Sequence, residues 1–290
     1  MITIFTPTFN RATLLPRLFD SLTHQSCKDF EWLRVDDGST DHTECLIHEM
    51  IQNADFPIRY YYHPNSGKHV AHNLGVRMAH GDLFFCVDSD DFLSHDRVIE
   101  QIIHTWKYIK HDEQCVGIIS LKCLLDGTLL GTPFPALQNT SPFDLTHTLH
   151  CPGERNYILG TYLLRKVPYP VLAGEIFFPD SFIIDNLSAQ FTMFLRNYKD
   201  ICCEYQADGL SSHFPKLMKN NPKGFCLANR QTIDLHKRLL PRLGAIFRYW
   251  AFFFLSREPD FHYSGKYPAA VFLCRIPGWF LAQYYRIRLR

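Results

Sequence analysis

The sequence predicts an α/β protein, a mostly parallel sheet flanked by helices with a helical extension behind it. Three observations carry that expectation. Short apolar segments alternate with helical-period segments over about the first hundred residues, the pattern of a parallel sheet with helical crossovers. The run Phe84-Phe85-Cys86-Val87 ends abruptly in Asp88-Ser89-Asp90-Asp91, as a buried strand does where it gives way to a polar turn. From about Phe214 onward the pattern is helical, rich in Phe, Tyr, Trp and Arg.

Composition agrees with a folded globular chain. Of 290 residues, 46% are hydrophobic and 20% charged, enough for one large domain or a domain with an appendage. A net charge of +1 gives no global argument for nucleic acid as a partner. The ten cysteines show no CxxC pair and no zinc-finger spacing; reduced thiols are expected, with Cys86, Cys115 and Cys123 as small core residues. The opening Met1–Pro7 has no basic n-region and meets Pro7 too early for a signal peptide. No stretch reaches eighteen uninterrupted apolar residues, the length of a spanning helix. A cytoplasmic location follows as the expectation.

In chain order, Ile2 to Phe5 reads as a buried strand and Thr6–Arg11 as a turn. Leu14, Leu15, Leu18, Phe19 and Leu22 follow at helical spacing, with Pro16 in the first turn. Phe30 to Val35 is a second strand ending in Asp36-Asp37-Gly38-Ser39-Thr40-Asp41. Ser39, Thr40 or Asp41 is expected to cap the next helix. Ile58 to Tyr62 is a third strand, followed by a loop, Asn65 to Asn73, that runs into a helix ending before Gly81. After the acidic turn come a helix over 96–110, a strand Val116–Leu121, a hairpin turn at Asp126-Gly127, and an irregular excursion over 132–150. Tyr157 to Arg165 is strand-like, Gly174–Ser181 leads into a helix holding Phe182, Ile183, Leu187 and Phe191, and Tyr198 to Tyr205 is a last strand.

The carboxyl ends of parallel strands are where such sheets bind ligands, at a switch in strand order. Thr8, Asp37 and Asp88–Asp91 all fall at those ends. Three neighbouring carboxylates repel one another unless a cation joins them, and a divalent ion with oxygen ligands suits them. The plainer alternative is a solvated turn whose acids cap the next helix. There is no GxGxxG after the first strand and no GxxxxGK[ST] anywhere, so a phosphate-bearing ligand would be held by a metal and side chains.

Four motifs, each after a predicted strand, resemble the nucleotide-sugar half of family 2 glycosyltransferases: TIFTPTFNR, EWLRVDDGSTD, SGKHVAHNLG and HGDLFFCVDSDDFL. Their order and spacing match as well as their residues. GEIFFPDSFIID and EYQADGLSS are similar, more loosely, to a bacterial subgroup, extending the likeness to about residue 212. The resemblance implies a GT-A fold, with a Rossmann-like sheet. It implies a glycosyltransferase domain over 1–215, divided into a nucleotide-sugar half (1–110) and an acceptor half (111–215); the helical pattern beyond it gives an extension over 216–290.

Carried over residue by residue, the resemblance puts Pro7, Thr8, Asn10 and Asp37 against the nucleotide base and Lys68 near base or phosphate. Asp88 faces the ribose, and Asp88 with Asp90 forms the D-x-D pair for Mn²⁺ or Mg²⁺. Asp91 offers an alignment shifted by one, so the division within the trio stays open. The family's catalytic base falls at a helix start about ninety residues beyond, where Asp180 stands; the subgroup has Glu at that place, and Asp185 and Glu175 compete with Asp180. Each candidate also has a plain reading: an exposed lysine for Lys68, a first-turn acid for Asp180. The implied reaction is metal-dependent, inverting transfer from a nucleotide-diphosphate sugar, UDP-linked by preference, to a glycan or lipid-linked acceptor in bacterial surface-polysaccharide assembly. A binding protein without catalysis and a receiver-like signalling module are the rivals.

From Lys237 to Arg290, basic residues outnumber acidic ones and interleave with aromatics. Such a segment suits either peripheral contact with the inner membrane or packing onto the catalytic domain or a partner chain.

Overall fold

The computed structural model describes residues 1–206, 209, 212–235, 238–256, 258 and 261–288. Of the sequence features above, Ala207, Asp208, Leu210 and Ser211 of the EYQADGLSS motif, Lys237 and Asp260 lie outside the described residues.

Among the described residues, nine strands form one mixed sheet. In chain order they are β1 (Ile2–Thr8), β2 (Phe30–Asp36), β3 (Ile58–Tyr62), β4 (Leu83–Cys86), β5 (Phe92–Leu93), β6 (Cys115–Leu124), β7 (Asn139–Thr140), β8 (Arg155–Gly160) and β9 (Thr192–Cys203). The first helices are α1 (Leu15–Thr23), α2 (Thr43–Asn53), α3 (Lys68–Met78), α4 (Val98–Ile109), α5 (Pro142–His147), α6 (Thr161–Leu164) and α7 (Ser181–Ser188). The remainder are α8 (Phe214–Asn220), α9 (Pro222–Leu235), α10 (Leu239–Ser256), α11 (Pro268–Leu273) and α12 (Arg275–Arg288).

The strand order is β3-β2-β1-β4-β8-β6-β9-β5, with β7 beside β9. β1, β2, β3 and β4 run parallel, as does β6 with β9. β8 lies antiparallel to both β4 and β6 and joins the two parallel blocks. The order reverses between β1 and β4, since β2 and β3 extend to one side of β1 and β4 to the other.

Two compact units divide the contacts: Met1–Pro168 with Leu187–Gln206, and Tyr169–Asn186 with Ala207–Arg290. In the first, Ile2, Ile4, Phe30 and Trp32 on the sheet pack against Leu15, Leu18 and Leu22 of α1 and Val98, Ile99 and Ile102 of α4. α3 approaches the sheet closely enough that a Cβ on Gly75 would strike the Phe5 ring at 2.3 Å. In the second, Phe225, Cys226 and Ile233 of α9 meet Ala245, Ile246, Tyr249, Trp250 and Phe252 of α10 and Val271 of α11. No helix among the described residues is long and apolar enough to cross a membrane. All ten cysteines are unbridged; Cys115 and Cys123 are buried, while Cys86 is half-buried.

Several elements differ from expectation. Lys68 to Asn73 are helical, because α3 begins at Lys68 directly after Gly67. The strand expected over 157–165 stops at Gly160, and the chain turns into α6 where Thr161 donates to the Gly81 carbonyl. The excursion over 132–150 holds β7 and α5, the latter capped by Ser141, whose Oγ accepts from the Asp144 amide at 3.0 Å. Phe191 lies beyond α7. Of the three expected capping residues, Ser39 and Thr40 do not serve α2, while Asp41 accepts from the Thr43 amide at 3.0 Å.

Glu31 on β2 fastens one end of the sheet. Its Oε1 accepts from the Thr3 hydroxyl and the His80 amide, each at 2.7 Å, and its Oε2 from Arg59 at 3.0 Å. Burial alone would raise its pKa, but these donors outweigh burial and hold it below the ordinary glutamate value. A carboxylate with a depressed folded pKa contributes stability above the unfolded pKa, about 4.3, and loses it as pH falls through the folded value. Glu31→Gln is therefore expected to cost about 1–3 kcal/mol at neutral pH. The gap in Tm between variant and wild type, followed by circular dichroism, should narrow as pH falls below about 4.

Candidate functional site

The reversal of strand order sets the carboxyl ends of β1 and β4 side by side, the place where open parallel sheets bind ligands. β1 ends in Pro7 and Thr8. Pairing with β4 covers only Ile2 to Phe5, so the proline, which has no N–H to give, lies past the end of that ladder. The Thr8 carbonyl accepts from the Asp37 amide at 2.8 Å, tying the ends of β1 and β2 together.

Beyond these strands, the loops after β1 and β2 are stitched into one surface. The Asn10 amide donates to Ser39 Oγ at 2.8 Å, and Asn10 Oδ1 accepts from the Thr40 amide at 2.8 Å. Asn10 adopts a φ of 52°, a left-handed conformation that asparagine tolerates better than most residues. Ser39 and Thr40 thus hold the neighbouring loop rather than their own helix. Asp36 accepts from the Ser39 amide at 2.7 Å and from the Tyr60 hydroxyl at 2.9 Å.

Asp37 sits at the centre of the next turn. One of its oxygens accepts from the Ser66 amide at 2.8 Å and the other from the Gly67 amide at 2.9 Å. Burial raises its pKa and these amides oppose the rise. Gly38 is required at this corner: its φ is +88°, and a Cβ there would meet the Asn65 amide nitrogen at 2.6 Å. The loop so held delivers Lys68, the first residue of α3, to Asp88.

At the end of β4, Asp88, Asp90 and Asp91 have distinct surroundings. Lys68 Nζ lies 2.9 Å from one Asp88 oxygen and 3.1 Å from the other. Desolvation works against ionising Asp88, but Lys68 and then Lys122 outweigh it and bring its pKa below the usual value. Asp91 is buried and pairs with Lys122 of β6 at 3.0 Å. Burial acts against the Lys122 charge, yet Asp91 and Asp88 prevail and its pKa is raised, so the ammonium persists. Asp90 has its pKa raised, first by burial and then by the charge of Asp88. Its backbone carbonyl accepts from Arg17 of α1 at 2.7 Å, while the same guanidinium reaches Glu204 at 2.6 Å.

This arrangement separates the trio. Asp91 has a lysine partner inside the protein, although burial still raises its pKa, whereas the second cause of the raised Asp90 pKa is the negative charge of Asp88. Among the described residues, no group of three or more His, Cys, Asp or Glu side chains stands close enough to hold a metal ion alone. Mg²⁺ and similar ions are commonly held by one or two carboxylates, with substrate phosphates and water completing the shell. Asp88 and Asp90 fit that donor set, and the raised pKa of Asp90 marks a position short of positive charge.

Sequence reasoning brought Pro7, Thr8, Asn10, Asp37, Lys68, Asp88 and Asp90 to this end of the sheet, and the structure places all of them in the first unit at those strand ends and loops. It passed over Lys122, Arg17, Glu204 and Arg34. Arg34 lies wholly buried on β2 and donates to Thr8 Oγ1 at 3.1 Å. Its guanidinium stacks 4.6 Å from the Trp32 ring, and burial draws its pKa down to about 9. An arginine inside a β-run was the available signal.

The three base candidates belong to the second unit. Glu175 is buried, and its two oxygens accept from the Lys223 and Gly224 amides at 2.7 and 2.8 Å. It thereby caps the start of α9. Asp180 is exposed, immediately before α7, with its carbonyl accepting from the Tyr169 hydroxyl at 3.1 Å. Asp185, inside α7, has its pKa pushed up to about 6 by burial, with a bond from Ser181 opposing.

Residues 3–122 match the sequence model of the family described as glycosyl transferase family 2. An uncharacterized glycosyltransferase of Rickettsia felis is 32% identical over 187 residues, 60% of this chain and 28% of that protein. The chain spans less than half the length of the curated relatives it matches first, 41% of one and 28% of another. Among solved structures, Staphylococcus aureus TarS 1–349 in complex with UDP-GlcNAc superposes with a TM-score of 0.59 at 16% identity, over 98% of this chain and 91% of that one. The mannosyltransferase PcManGT from Pyrobaculum calidifontis, in complex with GDP-Man and Mn²⁺, gives 0.55 at 18% identity, over 99% and 82%. These likenesses show the fold, the GT-A type of α/β architecture.

Removing one member of the Asp91–Lys122 pair leaves the other charge buried. Asp91→Asn is expected to cost about 3–5 kcal/mol, and Asp91→Leu with Lys122→Met markedly less. Thermal melts of the two variants check the order; equal losses would contradict it.

Proposed function

We propose, from the match of residues 3–122 to the model of glycosyl transferase family 2, that the protein transfers a sugar from a nucleotide-diphosphate donor, UDP-linked by preference, to a glycan or lipid-linked acceptor in polysaccharide biosynthesis. The observation that carries this reading is the meeting of Lys68, Asp88 and Asp90 at the switch point of the sheet.

In this reading the stitched loops of Pro7, Thr8, Asn10 and Asp37 form a firm wall for the base. Asp37 keeps an accepting lone pair on each oxygen beyond those used by the Ser66 and Gly67 amides. Asp88 receives the ribose. Lys68 is a mobile cation on a flexible stem, able to exchange its bond with Asp88 for a phosphate oxygen. Asp88 and Asp90 would hold Mn²⁺ or Mg²⁺, which when bound supplies Lewis-acid neutralisation of the diphosphate. Asp91 and Lys122 keep the turn in shape beneath them.

Transfer requires a carboxylate to take the acceptor hydroxyl proton as its oxygen bonds to the anomeric carbon. The bond from that carbon to the diphosphate breaks, the nucleotide diphosphate leaves with the electron pair, and configuration inverts. Asp180 is assigned this proton. Asp185 is the second reading, favoured by its pKa of about 6, close to the value that suits a base near neutrality. Glu175 is committed to capping α9. A lipid-linked acceptor would bring the protein to the cytoplasmic face of the inner membrane, with the C-terminal segment as the point of peripheral contact.

A panel of UDP- and GDP-sugars with Mn²⁺ tests the proposal. Asp90→Ala is expected to lower kcat/KM by at least about a hundredfold, and Asp180→Ala to abolish transfer while nucleotide still binds. Binding of nucleotide without turnover of any donor would favour a non-catalytic sugar-nucleotide binder; no binding of either nucleotide with metal would overturn the proposal. The pH profile separates the two bases. If Asp185 takes the proton, activity falls as pH drops through about 6, and Asp185→Asn removes that limb. If Asp180 does, Asp185→Asn leaves the profile in place.

A further inference from the structure

We infer that the outward face of α11 and α12 docks onto the surface of an anionic lipid bilayer. This deepens the membrane contact proposed above and rests on that clause of the reading, not on the transfer chemistry.

The inward face of α12 is already occupied. Gly278 and Ala282 are buried there, Tyr285 lies against Phe252 of α10 with ring centroids 5.6 Å apart, and Trp250 donates to the Val271 carbonyl of α11 at 2.6 Å. The opposite face is apolar as well. Phe272, Leu273, Ile276, Phe280 and Ile287 are each 62–76% exposed, and Trp279 is 44% exposed. A helix that is apolar on both faces needs a second apolar neighbour, and exposed large apolar residues grouped together mark an interaction site.

The charges select the occupant. At about 100° per residue, Ile276, Phe280, Gln283 and Ile287 fall along the middle of the outward arc of α12. Arg275 and Arg286 fall at one margin and Arg288 at the other. Among the described residues, each arginine is steadied sideways rather than paired with a carboxylate. Arg275 lies 5.5 Å from the Trp250 ring, Arg286 donates to the Phe254 carbonyl at 3.1 Å, and Arg288 donates to the Tyr284 hydroxyl at 2.5 Å. Residues 261–290 contain five Lys or Arg and no Asp or Glu. An apolar stripe edged by arginines, with tryptophan and tyrosine beside it, matches the bilayer interface: rings and aliphatic chains enter the acyl boundary while guanidinium groups stay with phosphate. A second copy on this face would bring arginines against arginines with no carboxylate from either segment to meet them.

Co-sedimentation of the full chain, without donor or metal, tests this. The probes are vesicles of phosphatidylglycerol mixed with phosphatidylcholine and vesicles of phosphatidylcholine alone. Binding to the anionic vesicles is expected, at least about tenfold weaker to the neutral ones and weakened by salt. Ile276→Glu with Phe280→Glu should abolish it. Arg275→Gln, Arg286→Gln and Arg288→Gln together should weaken it on the order of a hundredfold, about fivefold for each charge. Unchanged circular dichroism and Tm would show that the fold survives these exposed substitutions. No binding to anionic vesicles, or binding unaffected by either set, would overturn the inference. So would a dimer in sedimentation equilibrium that Ile276→Glu with Phe280→Glu dissociates, since the face would then belong to a second copy. Nucleotide binding measured separately keeps these outcomes apart from any failure of the transferase reading.

Discussion

Parallel pairing of β1 with both β2 and β4 is the constraint on which the site depends. Parallel strands all present their carboxyl ends at one edge of the sheet, so whatever follows them must gather there. Because the chain extends first to one side of β1 and then to the other, two of those exits become neighbours without an intervening crossover. Thr8, Asp37, Lys68 and Asp88 come from four separate stretches, yet hydrogen bonding within the sheet leaves them nowhere else to go.

Gathering acids at a partly buried edge has an electrostatic cost, and the protein offsets it unequally. Asp91 has Lys122, Asp88 has Lys68, and the Asp90 carbonyl has Arg17. Only for Asp88 do the neighbouring lysines outweigh burial; the Asp90 and Asp91 carboxyls are both raised, Asp91 by burial despite Lys122 and Asp90 by burial and the charge of Asp88. Beneath this layer Arg34 carries a buried positive charge whose Nε and Nη1 have no hydrogen-bond partner among the described residues. Such an arrangement is poor for stability and is tolerable where the ends of β1 and β2 must be held in one polar network.

Much of this was legible in the sequence, for definite reasons. β1 to β4 were readable because each is a short run rich in aliphatic and aromatic residues, closed by a polar turn. The acidic turn was readable as the end of a strand because the apolar run stops abruptly at Asp88. β5 was not, since two residues carry no periodicity, and its place is set by pairing with β9. Tyr162, Leu163 and Leu164 look like strand but become helix after Thr161 bonds to Gly81, a tertiary contact that propensity does not see. Lys122 and Glu204 escaped notice because they reach the turn from β6 and from the end of β9, far along the chain. Glu175 could be weighed as a base from sequence, but only the structure shows its oxygens spent on the start of α9.

The antiparallel strand that joins the two parallel blocks carries a consequence for biosynthesis. β1 to β4 need only residues 2–86 to pair with one another. β8, which covers the other edge of β4, is not made until residues 155–160. During translation the apolar strand Leu83–Cys86 therefore waits with an open edge while roughly seventy further residues emerge, several seconds at ordinary elongation rates. An open apolar edge is a template for wrong pairing. The nascent chain is most exposed to aggregation in that interval, before the sheet is closed by its own later sequence.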